Sequence, residues 1–250
     1  MPKKKIETEK KAVKKAVKKT VKKTAEKTVG YDYTIDDIRQ MPFIKTYLKR
    51  ADKYLEAIGY TEHGLRHAGI VCKSTHYILS CLNYPPRQVL LGTIAAYLHD
   101  IGNLISRKNH GITSALMAQK ILEQIGLPIE EAITVMSAIA NHDEQVGEPT
   151  DPLAAALIIA DKADVHRTRV RNENFISFDI HDRVNFAVTE SFLKVNKTTM
   201  EIILDLTIDT QISQVMEYFE IFLERMLLCR KSAKILKCNF GLVINDTVLL

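Results

Sequence analysis

The chain has 250 residues, of which 46% are hydrophobic, and it carries a formal net charge of +5. This length predicts one sizeable domain with an appended smaller unit. Because no apolar run approaches the roughly 18 residues of a membrane helix, and no apolar core follows the N-terminal charges, we expect neither a membrane span nor a secretory signal.

The positive charge is concentrated at the N-terminus. Residues 1–29 contain 12 Lys and 3 Glu, a local charge of +9, so the other 221 residues carry 23 basic and 27 acidic groups, a net of −4. The segment repeats a Lys-Lys pair every four residues, and like-charge repulsion predicts a disordered tail. Two roles stay open: a solubilising tail, or electrostatic attachment to RNA or another polyanion, including the ribosome or an anionic membrane.

The body begins with a series of predicted helices. Residues 34–59 are expected to form one or two helices interrupted near Pro42, and Thr61 is expected to cap a helix that carries His63 and His67 and continues towards Cys81. Further helices are predicted to begin at Pro85-Pro86, near His110, at Pro128 and at Pro152, with a loop over Asn141–Asp151.

The pattern changes after residue 190. Strict alternation over Met200–Ile208 predicts a strand, with Phe192–Val195 as its hairpin partner. Residues 211–234 have helical spacing, and Leu242–Leu250 resembles a closing strand. We therefore predict a β-β-α-β subdomain, whose role is left open between dimerisation and substrate contact. The predicted division is a tail over 1–29, a helical domain over 30–188 and a small α+β subdomain over 189–250.

The cysteines suggest the compartment. Their spacing matches neither a zinc site nor a disulfide framework, so we expect buried thiols in a reducing, cytoplasmic setting. These residues are Cys72, Cys81, Cys229 and Cys238.

A string of imidazole and carboxylate groups is the candidate functional site. The pair His99-Asp100 ends an apolar run, and so does Asp161. Burying ionisable groups beside apolar sequence is costly unless they are paired or bind metal, and this ligand mixture suits Zn, Mn, Fe, Co or Ni rather than Ca. The candidate metal ligands are His67, His99, Asp100, His110, His142 and Asp161.

The order of these residues resembles the HD-domain superfamily of metal-dependent phosphohydrolases, over roughly residues 55 to 170. The resemblance implies an all-helical domain in which the His99-Asp100 pair binds metal, and it points to the branch that holds two divalent transition-metal ions. His110 and His142 would complete the second ion. Asp100 is expected to bridge the two ions from the end of its helix, and is therefore a predicted catalytic residue.

Two further positions carry open alternatives. His63 is either an additional or alternative ligand, four residues before His67, or a hydrogen-bonding neighbour. Asp143 is either a further ligand or proton acceptor, or a solvated loop carboxylate. It stands where the superfamily's cyclic-dinucleotide hydrolases have a second His, and Gly147-Glu148-Pro149 departs from their Gly-Tyr-Pro, so cyclic di-GMP is not the expected substrate.

Basic residues after Asp161 are candidate phosphate contacts. Lys162 is predicted to stabilise charge during catalysis, and Arg167 and Arg171 are expected to share a helix face and to bind substrate. The alternative for these side chains is an ordinary salt-bridged surface.

The expected function is hydrolysis of a phosphoester, phosphoanhydride or phosphodiester in a nucleotide-like substrate through a metal-bridged hydroxide. The resemblance leaves dinucleoside polyphosphates, mononucleotides and short RNA open as substrates. Two alternatives are a di-iron oxygenase of the same superfamily and a non-catalytic module that binds nucleic acid or the ribosome. A homodimer is also compatible with the sequence.

Overall fold

A computed structural model describes residues 34–171 and 179–250 of the chain. The first of these ranges, with the residues just after the gap, is helical, which confirms the predicted fold class. The predicted basic tail lies outside the described residues. The helices are α1 (Ile35–Gln40), α2 (Pro42–Ala57), α3 (Leu65–Cys81), α4 (Pro86–Leu98), α5 (His110–Gln124), α6 (Ile129–Ala140), α7 (Pro152–Lys162) and α8 (Ile180–Ala187).

Helix α7 lies at the centre of the bundle, where it contacts α3, α4 and α6. Its residues from Leu153 to Ala160 are all buried, and the alanines among them allow neighbouring helices to approach closely. The side chain of Asp151 caps the helix by accepting hydrogen bonds from the backbone N–H groups of Leu153 and Ala154. A cap and a fully apolar body therefore direct the last turn of α7, which bears Asp161, into the interior.

The start of α3 differs from the prediction. The helix begins at Leu65 after Gly64, not after Thr61, so His63 precedes the helix rather than lying on it. The Thr61 carbonyl accepts a hydrogen bond from Nδ1 of His63 at 2.7 Å. The peptide around Thr61 is thus engaged in a local turn, which competes with helix capping.

The C-terminal unit is a four-stranded sheet in the order β1-β2-β3-β4. Its elements are β1 (Val188–Asn196), β2 (Glu201–Ile208), α9 (Val215–Ile235), β3 (Asn239–Ile244) and β4 (Thr247–Val248). The hairpin β1-β2 is antiparallel with Ser191 opposite Leu206, as the alternation predicted. Strand β3 pairs parallel with β2, so α9 is a crossover helix between them.

The predicted closing strand over Leu242–Leu250 is wrong in its bounds. The strand β3 begins at Asn239, and a turn at Asn245-Asp246 separates it from β4. Both turn residues have positive φ, 49° and 63°, as two-residue hairpin turns that match strand twist require. The Asn245 side chain also bonds to the backbone N–H and carbonyl of Ile208 at 2.8 and 2.9 Å, which fixes the turn against β2.

Helix α9 joins the two parts of the fold. It packs against α7 on one side and β3 on the other, and Tyr218, Phe222 and Met226 are buried in a core that is continuous with that of the helical bundle. Along the described segments, no helix combines the length and apolar character that crossing a bilayer would require.

Candidate metal centre

The predicted ligand residues converge at the ends of five helices. His67 lies in the first turn of α3, His99 and Asp100 follow the end of α4, and His110 begins α5. The remaining two come from the segment after α6 and from the last turn of α7. We refer to these six buried or nearly buried residues as the His/Asp cluster: His67, His99, Asp100, His110, His142 and Asp161.

Asp100 lies between two pairs of histidines. Its Oδ2 atom is 3.3 Å from Nε2 of His99 and 3.6 Å from Nε2 of His67. Its Oδ1 atom is 3.3 Å from Nε2 of His110 and 3.8 Å from Nε2 of His142. The two oxygens of one carboxylate therefore face different histidine pairs, an arrangement suited to bridging.

Asp161 completes one side of the cluster. Its Oδ1 atom lies 3.2 Å from Nε2 of His67 and 3.8 Å from Nε2 of His99. These three residues offer ligand atoms within 4.8 Å of one another, and so do His99, Asp100 and His142. The described residues thus form two overlapping groups that could hold metal ions.

The hydrogen bonds of the imidazoles leave their inward nitrogens as acceptors. Nδ1 of His99 donates to the Ala96 carbonyl at 2.8 Å, and Nδ1 of His142 donates to the Ile139 carbonyl at 2.6 Å. Because a carbonyl only accepts, each neutral ring then carries its lone pair on Nε2.

The other two histidines follow the same rule. Nδ1 of His67 faces Oδ2 of Asp164 at 2.7 Å, and Nδ1 of His110 faces the Arg107 carbonyl and Asp143 at 3.1 and 3.2 Å. The facing Nε2 atoms are only 3.3 Å apart in the pair His67 and His99, and 3.0 Å apart in the pair His110 and His142. Four lone pairs and two carboxylates therefore converge where a cation would satisfy them.

The electrostatics also favour positive charge at this point. Burial opposes protonation of His67 and His110, but the facing carboxylates outweigh it and raise the pKa of each imidazole to about 9. Burial and the neighbouring histidines lower the pKa of His142 to about 3. The carboxylates thus favour a bound cation at this point. In water without metal, that cation is a proton on His67 or His110.

Gly102, in the sequence His99-Asp100-Ile101-Gly102, allows a close backbone approach. It lies in the 3-10 turn Ile101–Leu104, and its N–H donates to Oγ of Ser114 at 2.7 Å. A Cβ atom at this position would lie 2.4 Å from both the His110 carbonyl oxygen and the Ser114 nitrogen. Only glycine lets this turn reach the first turn of α5.

We expect Gly102→Ala to lower the free energy of unfolding by roughly 1–3 kcal/mol, because the backbones must move apart. Urea unfolding of the variant beside Gly69→Ala tests this, since a Cβ at Gly69 meets no atom within 4 Å and helical Ala is favoured over Gly. Equal destabilisation by both substitutions would contradict the steric explanation.

Lys162 lies beside the cluster but is held by carboxylates. Its Nζ atom is 2.7 Å from Oδ2 of Asp161 and 2.5 Å from Oε2 of Glu144. Glu144 also accepts from Nε of Arg225 on α9 at 2.8 Å. Burial alone would lower the pKa of Lys162, but Asp161 and Glu144 reverse the effect and raise it. Lys162 is thus a charged partner of Asp161.

The structure places the two additional candidate ligands at the edge of the cluster. The ring centroids of His63 and His67 are 5.3 Å apart, but His63 is in neither of the donor groups formed by the described residues. Asp143 is buried and faces Nδ1 of His110, the nitrogen that points away from the cluster centre. Both are neighbours of the His/Asp cluster in this geometry.

The predicted phosphate contacts Arg167 and Arg171 are not brought into the cluster. The expected shared helix face is wrong, because Arg167–Arg169 forms a 3-10 turn that ends before Arg171. Arg171 forms an ion pair with Asp52, and the Arg167 guanidinium lies 5.2 Å from the ring centroid of Phe186. Among the described contacts of these two arginines, none involves a residue of the cluster.

Several supporting residues were not predicted from the sequence. Asp164 accepts from His67 and pairs with Arg66 at 3.2 Å, and Asn103 donates to Oδ1 of Asp100 at 2.9 Å. Asp164 lies one turn after Asp161, a spacing that could have identified it. The contact between Glu144 and Arg225 joins residues 81 apart, and no local pattern signals it.

Arg107 is a further missed residue. Its Nη1 atom is 3.4 Å from Nδ1 and 3.2 Å from Nε2 of His110. These nearly equal distances place the guanidinium off the axis of the Nε2 lone pair, which stays directed at the cluster. The Arg107 guanidinium also lies 5.3 Å from the ring centroid of Tyr60.

Comparison with known proteins agrees with this geometry. Residues 65–166 match the family model described as the HD domain, a span that runs from the start of α3 past the end of α7. The predicted resemblance to the HD-domain superfamily is therefore confirmed over these residues. Members of that superfamily are generally metal-dependent hydrolases.

One curated relative carries no assigned activity. Uncharacterized protein MJ1020 of Methanocaldococcus jannaschii is 26% identical to this chain over 158 residues, covering 54% of the chain and 61% of the relative. The chain thus spans about three fifths of the length of this relative.

Proposed function

We propose that the protein is a phosphohydrolase that uses two divalent transition-metal ions held by the His/Asp cluster. The observation that carries this proposal is that the Nε2 atoms of four histidines lie 3.3 to 3.8 Å from the two oxygens of the single carboxylate of Asp100. His67, His99 and Asp161 would hold one ion, His110 and His142 the other, and Asp100 both. Imidazole with carboxylate suits Mn, Fe, Co, Ni or Zn.

Bound ions of this kind supply an acidified water and neutralise charge on phosphoryl oxygens. The chain's own residues orient the ligands. Asp164 and the carbonyls of Ala96, Arg107 and Ile139 hold the imidazole tautomers, and Lys162 offsets the charge of Asp161. The half-buried Arg107 is our candidate for contact with the substrate phosphate, since guanidinium binds phosphate oxygens in a bidentate manner.

The substrate class we propose is a nucleotide-like phosphoester, phosphoanhydride or phosphodiester. Metal content of the purified full chain, combined with hydrolysis of bis(p-nitrophenyl) phosphate, p-nitrophenyl phosphate and a panel of nucleotides, tests the proposal. About two transition-metal ions per chain with metal-dependent phosphate release is the expected result. Iron with oxygen consumption and no hydrolysis would support the oxygenase alternative instead. No bound metal after reconstitution with Mn, Fe or Zn would refute the metal centre.

Removing the metal should destabilise the protein. Ligands that bind only the folded state stabilise it by about 4 kcal/mol at a thousandfold excess over Kd, and each kcal/mol shifts Tm by roughly 2–4 °C at this size. We therefore expect chelation to lower Tm by about 10 °C, measured by scanning calorimetry. As a matched control, adding back a transition metal should restore the original Tm, whereas adding Ca²⁺ should not. A Tm insensitive to chelation would contradict a tightly held metal.

The Asp164 carboxylate should tune the affinity for metal through His67. We expect Asp164→Asn to weaken metal binding by about 10–100-fold, as loss of a partner that orients a ligand histidine does. Competition with a chromophoric chelator measures the change. Arg66→Gln removes a partner of the same carboxylate that does not touch His67, and should have a smaller effect. Equal affinities in the wild type and Asp164→Asn would rule out this orienting role.

A further inference from the structure

Helix α9 presents an apolar stripe to solvent on the side away from α7. Met216, Leu223 and Leu227 are 74%, 50% and 41% exposed. They belong to a set spaced alternately by four and three residues, which occupies a face about 80° wide and about 27 Å long. All members of this set are exposed: Met216, Glu220, Leu223, Leu227, Arg230 and Lys234. This spacing is that of a coiled-coil seam.

The charges of this α9 stripe are ordered along the helix. Glu220 lies in its N-terminal half, whereas Arg230 and Lys234 lie in its C-terminal half, with the two leucines between them. Among the described residues, none forms an ion pair with Glu220, Arg230 or Lys234. After Met216 the stripe is therefore acidic at Glu220, apolar at the two leucines and basic at Arg230 and Lys234.

We propose that the α9 stripe is a homodimer interface in which two copies of α9 pair antiparallel about a two-fold axis. In this antiparallel pair, two residues that face each other across the seam have residue numbers that add up to 450. Leu223 then meets Leu227 of the second copy, and Glu220 meets Arg230 of the second copy. A two-fold axis repeats each contact.

Charge complementarity selects both the partner and the orientation. Antiparallel pairing puts opposite charges together on both sides of the leucine layers, whereas a parallel pair would place Glu220 against Glu220 and Arg230 against Arg230. Like charges in facing positions are unfavourable. A second copy of the same helix, reversed, is thus the occupant whose pattern matches the stripe.

A charge-swap series on the full chain tests the pairing by mass from light scattering and Kd from sedimentation equilibrium. The wild type should show twice the 28.3 kDa of one chain. Glu220→Arg and Arg230→Glu should each weaken the dimer about 10-fold or more, and the double variant should restore it. Since these side chains are exposed, circular dichroism should show unchanged folding.

The matched control is Lys120→Glu on the exposed side of α5, which changes the net charge by the same amount as Arg230→Glu and should leave the mass unchanged. If the wild type is monomeric at about 100 µM, the proposal is overturned, because any dimer would then have a Kd of about 1 mM or weaker. A dimer indifferent to the single swaps, or not restored by the double variant, overturns the antiparallel α9 seam.

Discussion

Asp100→Ala is expected to abolish metal binding and phosphate hydrolysis together. The carboxylate faces all four histidines of the cluster, 3.3 to 3.8 Å from their Nε2 atoms, so its loss removes the one group that the two histidine pairs share. We expect hydrolysis to fall by at least about a thousandfold, which corresponds to roughly 4 kcal/mol of transition-state stabilisation. Metal analysis and phosphate release on the same preparation measure both effects.

Two further variants separate charge from position. Asp100→Asn keeps the shape but loses the negative charge and one acceptor oxygen, so it should retain less metal than the wild type and show little activity. Glu148→Ala removes an exposed carboxylate whose ion pair with Lys231 is 3.0 Å long, and should change neither property. Full activity in a metal-free Asp100→Ala protein would refute the metal mechanism.

Lys162→Met should cause a large loss of stability. The ammonium is buried between Asp161 and Glu144, so methionine would leave two nearly buried carboxylates facing each other. Removing one partner of a buried ion pair costs about 3–5 kcal/mol, and we expect about 3 kcal/mol because Glu144 keeps Arg225. Urea unfolding of the metal-free wild type and variant measures this change in the free energy of unfolding without a contribution from bound metal.

The double variant Lys162→Met/Glu144→Gln supplies the control. It removes one of the two like charges, so it should recover part of the stability that Lys162→Met loses. If Lys162→Met unfolds at the same urea concentration as the wild type, the ammonium is not the group that allows these carboxylates to be buried.

The sequence predicted the cluster because its members belong to a recognisable local context. Asp161 ends an apolar helix and His99-Asp100 ends another, and such runs must be buried, so the ionisable groups at their ends are carried inside. The order of the His and Asp residues along the chain identified the remaining members of the cluster. The helix that was predicted from Thr61 began four residues later because a polar turn around His63 competes with it, and local propensity does not resolve such competition.

Contacts between distant segments could not be predicted from local patterns. The side chain of Arg66 meets Asp164 only because α3 and the turn after α7 come together. Arg167 and Arg171 were assigned to a common face by helical spacing, but the chain leaves the helix before reaching them. The turn at Asn245-Asp246 had a local signal in two residues that tolerate positive φ, which the apolar pattern around it obscured.

The position of α9 has a practical consequence for dissecting the molecule. The part that matches the family model ends at residue 166, yet α7 is covered by α9, and Glu144 in the loop before α7 is held by Arg225. A fragment cut after residue 166 would expose the apolar flank of α7 to water and release that loop. Expression trials of the part that holds the His/Asp cluster should therefore retain the chain through β3, because the limits of the family match do not coincide with the boundaries of a stable fragment.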